Sequence, residues 1–283
     1  TYPPQGGNGA PVYAQPVQQP VYYAPVQPPK WADPARLEQK ELRRAASRLS
    51  FATMTSLPIQ VLWTTLATLI LTVCGVNFMG PNTIGDFPPT AYYLISSIAS
   101  FLSIVLPFSF FLFFGKRKLS DTVLVEKNGV LNSVLLVFAG LAVSVLMNIP
   151  ANLISQLLEG AGLNGDANTA DLLALTPVQA LTMFVSVVLV APVTEEFAFR
   201  SVTTAVMRRW GDWPAVIFSA LIFGMAHYSI QSLPVVLTAG FVMALLYVRT
   251  RNIWVNIFVH MLNNLLATLP IALEGLVGAD AAN

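Results

Sequence analysis

A few ionisable side chains lie inside apolar segments of this sequence, where each could take part in proton transfer or bind a substrate. Glu195, Glu196 and Arg200 lie on one apolar run, and His227 and His260, the only two histidines, lie on two others. An ionisable group inside a membrane-spanning helix is costly unless it is paired or hydrated, so a functional role is its default explanation. Separate structural contacts between helices are the alternative.

The spacing within the first group indicates different roles for the two glutamates. Glu196 and Arg200 are four residues apart on one helical face, which predicts an ion pair that keeps Glu196 charged. Glu195 projects about 100° around the helix and is therefore predicted as the general base. Pro192 removes a backbone donor one turn earlier, which either opens the helix for water or substrate or produces a packing kink.

The two histidines also have neighbours at helical spacing. Phe223 precedes His227 by four residues, so its ring is expected to pack on the imidazole. His260 and Asn264 share a face and offer two hydrogen-bond donors to a developing oxyanion. At about 1.5 Å per residue, the three segments bring these polar groups to a similar depth, roughly 13–20 Å from the nearest basic or Trp anchors.

Together these side chains predict hydrolysis by an activated water without a covalent intermediate. A water between Glu195 and His227 would lose a proton to the carboxylate and attack an amide carbonyl, while His260 and Asn264 stabilise the oxyanion. No cofactor is required. The alternative is a zinc site, since Glu and two His can bind Zn with a water in the fourth position. GlyXSerXGly and GlyXGlyAsp do not occur in the sequence, which argues against rhomboid-like and presenilin-like chemistry.

The composition indicates the kind of fold that brings these groups together. Hydrophobic residues make up 55% of the 283 residues and charged residues 10%, against about 25% charged in soluble domains. This predicts an all-α polytopic membrane helix bundle, and a net charge of +1 gives no reason to expect nucleic-acid binding. Seven spans are predicted, at about 57–79, 91–114, 131–157, 178–208, 214–230, 233–249 and 253–273. The last four form a predicted four-helix catalytic core at about 178–273.

The N-terminal residues have a different character. Residues 1–30 contain eight Pro and no charge before Lys30, which predicts a disordered cytoplasmic tail that acts as a tether or as a ligand for a Pro-binding module. Residues 31–53 are predicted as a juxtamembrane amphipathic helix on anionic membrane lipid, with an ordinary solvated helix as the alternative. The membrane domain is then 54–283.

The basic residues predict the orientation. Six precede the first span, four follow the second, three close the fourth and two follow the sixth. The positive-inside rule therefore predicts a cytoplasmic N-terminus and an outside C-terminus. A bacterial plasma membrane suits such a chain better than the endoplasmic reticulum.

Three motifs resemble those of one protein family. GluGluPheAlaPheArg at 195–200, PheGlyMetAlaHis at 223–227 and HisMetLeuAsnAsn at 260–264 are similar to the motifs of the CPBP family. That family includes CAAX prenyl endopeptidases of the Rce1 type, bacteriocin-processing enzymes and bacterial Abi proteins, and is regarded as metal-independent intramembrane glutamic proteases. The resemblance implies water activation by Glu195 and His227, support from Glu196 and Arg200, and an oxyanion hole of His260 and Asn264.

Two functional hypotheses follow for the whole chain. The first is an intramembrane endopeptidase with a CAAX-protease-like or bacterial protein-maturation role. Its expected substrate is a peptide or protein, with membrane-anchored proteins among the candidates. The second is a non-catalytic membrane scaffold or transport-associated protein that recruits partners through its Pro-rich tail. A phenotype that needs the tail but not Glu195 would favour the second.

Overall fold

The structure is a computed structural model that describes residues 33–75, 88–163 and 176–281. The predicted tail 1–30 lies outside these residues. The helices of the described residues are α1 (Pro34–Met54), α2 (Ser56–Val73), α3 (Pro89–Phe114), α4 (Leu119–Thr122), α5 (Val130–Gly160), α6 (Pro177–Trp210), α7 (Asp212–Met225), α8 (Leu233–Thr250) and α9 (Ile253–Ala281). Within the described residues, a boundary between two compact units falls between Lys40 and Glu41, and the second unit contains α2 to α9 together with the part of α1 after Lys40.

The predicted all-α membrane bundle is confirmed, with one difference in the number of spans. Six helical segments of the described residues are long and apolar enough to cross a membrane, where the sequence predicts seven. The fifth predicted span, 214–230, is helical only over α7, which has 14 residues. At about 1.5 Å per residue α7 is about 21 Å long, less than the roughly 30 Å of a hydrocarbon core.

A cluster of three phenylalanine rings lies in the core of the bundle. Phe199 of α6 makes edge-to-face contacts with Phe108 of α3 and Phe223 of α7, at ring-centroid distances of 5.7 and 5.4 Å. All three rings are buried, and small residues of α6 and α8 pack around them. Many large apolar side chains of α2, α3 and α5 are exposed instead, as expected for helices that contact lipid. Most of the buried residues around these rings belong to α6, α7 and α8, while the catalytic core at 178–273 stays a prediction.

The part of α1 after Lys40 belongs to this core. Leu49 is fully buried and Ala52 almost so, and both join the cluster formed by α3, α6 and α7. A helix lying freely on the lipid surface would not bury these residues. The placement of the remainder of α1 on an anionic leaflet stays a prediction.

Backbone pairing outside the helices fixes the start of α9. The Ile253 N–H donates to the Leu124 carbonyl and the Glu126 N–H donates to the Arg251 carbonyl, each at 2.9 Å. Tyr247 adds a hydroxyl bond of 3.0 Å to the Thr122 carbonyl. Because these bonds hold the first residue of α9, they also determine how deep in the bundle each later side chain of α9 lies.

Helices α7 and α8 pack closely at Gly240. A Cβ atom at this position would lie 2.9 Å from Phe223 Cδ1 and 3.3 Å from Ala220 Cα. Phe223 cannot easily move, because its ring is buried against Phe199. The absence of a side chain at Gly240 therefore permits the helix crossing that places Phe223.

We expect Gly240→Ala to destabilise the protein by about 1–3 kcal/mol, the usual cost of overpacking a core. The measurement is the thermal unfolding midpoint of the purified protein in detergent. Gly160→Ala is the matched control, since nothing lies within 4 Å of a Cβ there and helix propensity favours Ala by up to about 1 kcal/mol. Equal midpoints for the two variants would contradict the close packing of α7 on α8.

Candidate active site

Helix α6 carries both glutamates and departs from α-helical geometry around them. It has π-helical hydrogen bonding over Phe184–Val190 and Glu196–Thr204. In the second segment the Thr203 hydroxyl donates to the carbonyl five residues earlier, at 3.0 Å. The Ser219 hydroxyl of α7 donates to the Phe199 carbonyl at 2.7 Å. Hydroxyl groups thus donate hydrogen bonds to two carbonyls of this π-helical segment. Short π-helical segments are often found at functional sites.

The ion pair predicted between Glu196 and Arg200 is present in the structure. Arg200 Nε lies 3.3 Å from Glu196 Oε2, and both side chains are fully buried. The guanidinium carbon also lies 4.2 Å above the centroid of the Phe223 ring, a cation–π contact. Each charge is costly to bury alone, so the pair stabilises both groups in the interior.

Two side chains of α9 complete the surroundings of Glu196. His260 Nδ1 donates to Glu196 Oε1 at 2.9 Å, and Asn256 Nδ2 donates to Glu196 Oε2 at 3.3 Å. The amide of Asn256 also donates to the Met243 carbonyl of α8, at 2.6 Å. Asn256 was not among the predicted site residues, although it precedes His260 by four residues and Asn264 by eight on the same helical face.

Glu195 and Glu196 lie on either side of the same imidazole. Glu195 Oε2 is 3.7 Å from His260 Nε2, whereas Glu196 binds Nδ1. Because a carboxylate accepts hydrogen bonds, the Nδ1 proton of His260 is directed at Glu196. The Glu195 side chain is 15% exposed while that of Glu196 is fully buried, so Glu195 is the more accessible of the two.

His227 lies just after the end of α7, and its imidazole is hydrogen-bonded to the backbone of that helix. Its Nδ1 donates to the Phe223 carbonyl at 2.8 Å, which leaves Nε2 as the acceptor of a neutral ring. The Phe223 ring contacts both imidazoles, at centroid distances of 4.8 Å to His227 and 5.9 Å to His260. Among the described residues no hydrogen bond or ion pair joins His227 directly to Glu195, so their predicted link through a water stays a prediction.

Tyr228 holds the turn that carries His227, and it was not among the predicted site residues. Its backbone is left-handed, with φ of 51°, which is uncommon for a bulky residue. The Tyr228 hydroxyl lies 2.6 Å from the Ser56 hydroxyl and 3.3 Å from the Thr53 carbonyl, at the junction of α1 and α2. These contacts stabilise a strained turn next to His227.

Asn264 binds a backbone group in α6. Its Nδ2 donates to the Val187 carbonyl at 2.9 Å. Val187 precedes Pro192 by five residues, and in a π-helical pattern that carbonyl would accept from the N–H that proline lacks. One N–H of Asn264 replaces this missing donor, and the second N–H remains for another acceptor. Asn264 thus has a structural contact that its spacing to His260 does not indicate.

The ligands required by the zinc alternative are not grouped as a metal site would need. Among residues 33–75, 88–163 and 176–281, no three side chains of His, Cys, Asp or Glu are placed to hold one metal ion. Glu195 and His260 are neighbours, but His227 is turned toward the Phe223 carbonyl.

Comparison with known proteins identifies the class to which this part of the chain is related. Residues 177–266 match the model of the Rce1-like family, described as type II CAAX prenyl endopeptidase Rce1-like. The match spans α6 to the first half of α9 and contains all six candidate site residues. The family resemblance of the three motifs is thereby confirmed for this segment.

One curated relative has a similarity that extends beyond this segment. The Bacillus subtilis (strain 168) protein named "Putative membrane peptidase YdiL" is 31% identical over 140 residues, which cover 49% of this chain and 57% of that protein. The chain thus matches little more than half the length of this relative. No solved structure matches the chain.

We expect Glu196→Gln to destabilise the fold by about 3–5 kcal/mol, because Arg200 would be left as an unpaired buried charge. Thermal unfolding in detergent measures the effect. Glu41→Gln is the matched control, since its pair with Arg209 is half exposed and is expected to contribute at most about 1 kcal/mol. Adding Arg200→Met to Glu196→Gln should restore part of the loss, and wild-type stability of Glu196→Gln alone would refute the assigned ion pair.

Proposed function

We propose that this chain is an intramembrane endopeptidase that hydrolyses a peptide bond with an activated water. The observation that carries the proposal is the placement of Glu195 and Glu196 on opposite sides of the His260 imidazole, with Glu196 paired to Arg200. Glu196 is occupied by three partners, whereas Glu195 keeps an oxygen available to accept a proton. The Rce1-like match and the name of the Bacillus subtilis relative support the same class of reaction.

Each group has a role in the proposed reaction. Glu195 takes a proton from a water that His227 orients through Nε2, and the water oxygen attacks the amide carbonyl carbon. The resulting oxyanion accepts hydrogen bonds from the free N–H of Asn264 and from His260 Nε2. His260 must carry both ring protons to donate there, and Glu196 holds the one on Nδ1. The proton on Glu195 then passes to the leaving nitrogen as the C–N bond breaks.

The proposed location is the plasma membrane of a bacterium, with a cytoplasmic N-terminus. The bundle supplies the apolar surface for an integral membrane protein. The clusters of Lys and Arg at the ends of α3 and α6 support the orientation, because positive residues favour the cytoplasmic side. The substrate is proposed as a peptide or protein that reaches the site from the membrane or its surface.

Glu195→Gln is expected to reduce peptide cleavage by about 10²–10⁴-fold, the usual contribution of a positioned general base. Comparative proteomics of the membrane fraction, from cells expressing wild type or this variant, would identify the cleaved proteins. Kinetics on the purified protein would then use one such substrate. Glu159→Gln, at the exposed end of α5, is the matched control and should cleave as wild type does. Unchanged cleavage by both Glu195→Gln and His227→Ala would contradict the proposed mechanism. Loss of activity in a strong chelator would favour the zinc alternative.

Tyr228→Phe is expected to lower kcat by about tenfold with little change in KM, because one hydrogen bond that orients the His227 turn is lost. Steady-state kinetics on the same substrate measures this split. Tyr92→Phe, a partly exposed tyrosine of α3, is the control and should leave both constants unchanged. A Tyr228→Phe enzyme with wild-type kcat would show that the turn does not need this anchor.

A further inference from the structure

A large cavity lies apart from the candidate active site, between α1, α3 and the end of α6. Its volume is about 1070 Å³, and none of the six candidate site residues lines it. Such a volume is at the upper end of the range for small-molecule sites. The cavity is therefore large enough for part of a lipid molecule and is not explained by the proposed reaction.

One part of the cavity wall is strongly basic. Four arginines and one glutamate line it, and Glu41 is already paired with Arg209. Arg44, Arg48 and Arg117 are exposed and take part in no ion pair within the described part of the chain. Three positive charges thus line the cavity, two from α1 and one from the connection after α3, which favours an anionic group.

The other part of the wall is apolar and aromatic. Phe110 and Phe114 stack at a centroid distance of 6.2 Å, and Phe51 of α1 lines the same cavity. These three side chains are 57%, 77% and 70% exposed, so an acyl chain of the bilayer can reach them. An apolar chain is the natural partner for this surface.

The order of these groups along α3 corresponds to the layers of a bilayer. The apolar helix α3 ends at Phe114, and Arg117 follows three residues later at the level where a span meets the lipid head groups. Phe110 lies one turn deeper, at the level of the acyl chains. An amphiphile with a negative head and an apolar tail would satisfy both parts of the wall at once.

We propose that this cavity is a binding site for an anionic phospholipid. The phosphate of the head group binds Arg44, Arg48 and Arg117, and the upper acyl chain packs on Phe51, Phe110 and Phe114. Binding here joins α1 to α3 and to the end of α6, and it does not depend on peptidase activity. The proposal therefore stands or falls separately from the proposed function.

Trp210 lines the cavity and provides a direct readout. The full chain would be reconstituted in phosphatidylcholine vesicles that contain a small amount of brominated phosphatidylglycerol or, in parallel, brominated phosphatidylcholine. Bromine quenches tryptophan fluorescence on contact, and the difference between wild type and Trp210→Phe isolates the signal of Trp210. We expect stronger quenching of Trp210 by the brominated phosphatidylglycerol.

The triple variant Arg44→Gln, Arg48→Gln, Arg117→Gln should weaken this lipid preference by more than about tenfold, since each basic residue near an anionic lipid contributes about fivefold. The control variant Arg43→Gln, Lys116→Gln, Lys118→Gln removes the same charge from the same two segments but touches no residue that lines the cavity. It should keep the preference. Arg48→Gln alone replaces the triple variant if the latter does not purify in a folded form.

Three results would overturn the proposal. Equal quenching by the two brominated lipids would remove the preference for an anionic head group. Equal losses in the two triple variants would assign the effect to general surface charge. Displacement of the brominated lipid by inorganic phosphate, or by a soluble peptide with a free carboxylate, would assign the cavity to a different ligand.

Discussion

The buried ion pair of Glu196 and Arg200 is the constraint on which the rest of the site depends. Both charges are fully enclosed by an apolar bundle, where either one alone would be strongly unfavourable. Two neighbouring helices contribute to the pair: α7 supplies the Phe223 ring, and α9 supplies His260 and Asn256. The helices that meet here must therefore keep their register, since a shift of one turn would separate the charges from their partners.

This constraint also separates the chemistry of two adjacent carboxylates. Glu196 uses its oxygens to bind Arg200, His260 and Asn256, so in the proposed reaction it acts only through His260. Glu195 is next to it in sequence but remains partly exposed. The buried pair thus fixes Glu196 as a hydrogen-bond acceptor and leaves Glu195 as the carboxylate to which we assign proton transfer. The cavity lined by Arg44, Arg48 and Arg117 lies apart from this centre and adds a surface for lipid.

Much of this arrangement can be predicted from the sequence, because hydropathy and helical spacing are local properties. The long apolar runs predict the helices, and the four-residue spacing predicts the pair of Glu196 and Arg200. Other features depend on tertiary contacts. An ideal α-helix separates Glu195 from Glu196 by about 100°, and only the position of α9 places one imidazole between them. The π-helical segments, the bond from Asn264 to Val187 and the Tyr228 anchor likewise require partners from distant helices. Asn256 was within reach of sequence reasoning through its spacing to His260.

In the proposed reaction Glu195 activates water directly, and no covalent intermediate forms on the chain. Intact-protein mass spectrometry of the enzyme, quenched by acid during turnover of its identified substrate, tests this claim most directly. Direct activation of water predicts only the mass of the unmodified chain, even when product release is slow. A transient adduct whose mass equals that of the acyl half of the substrate would contradict it.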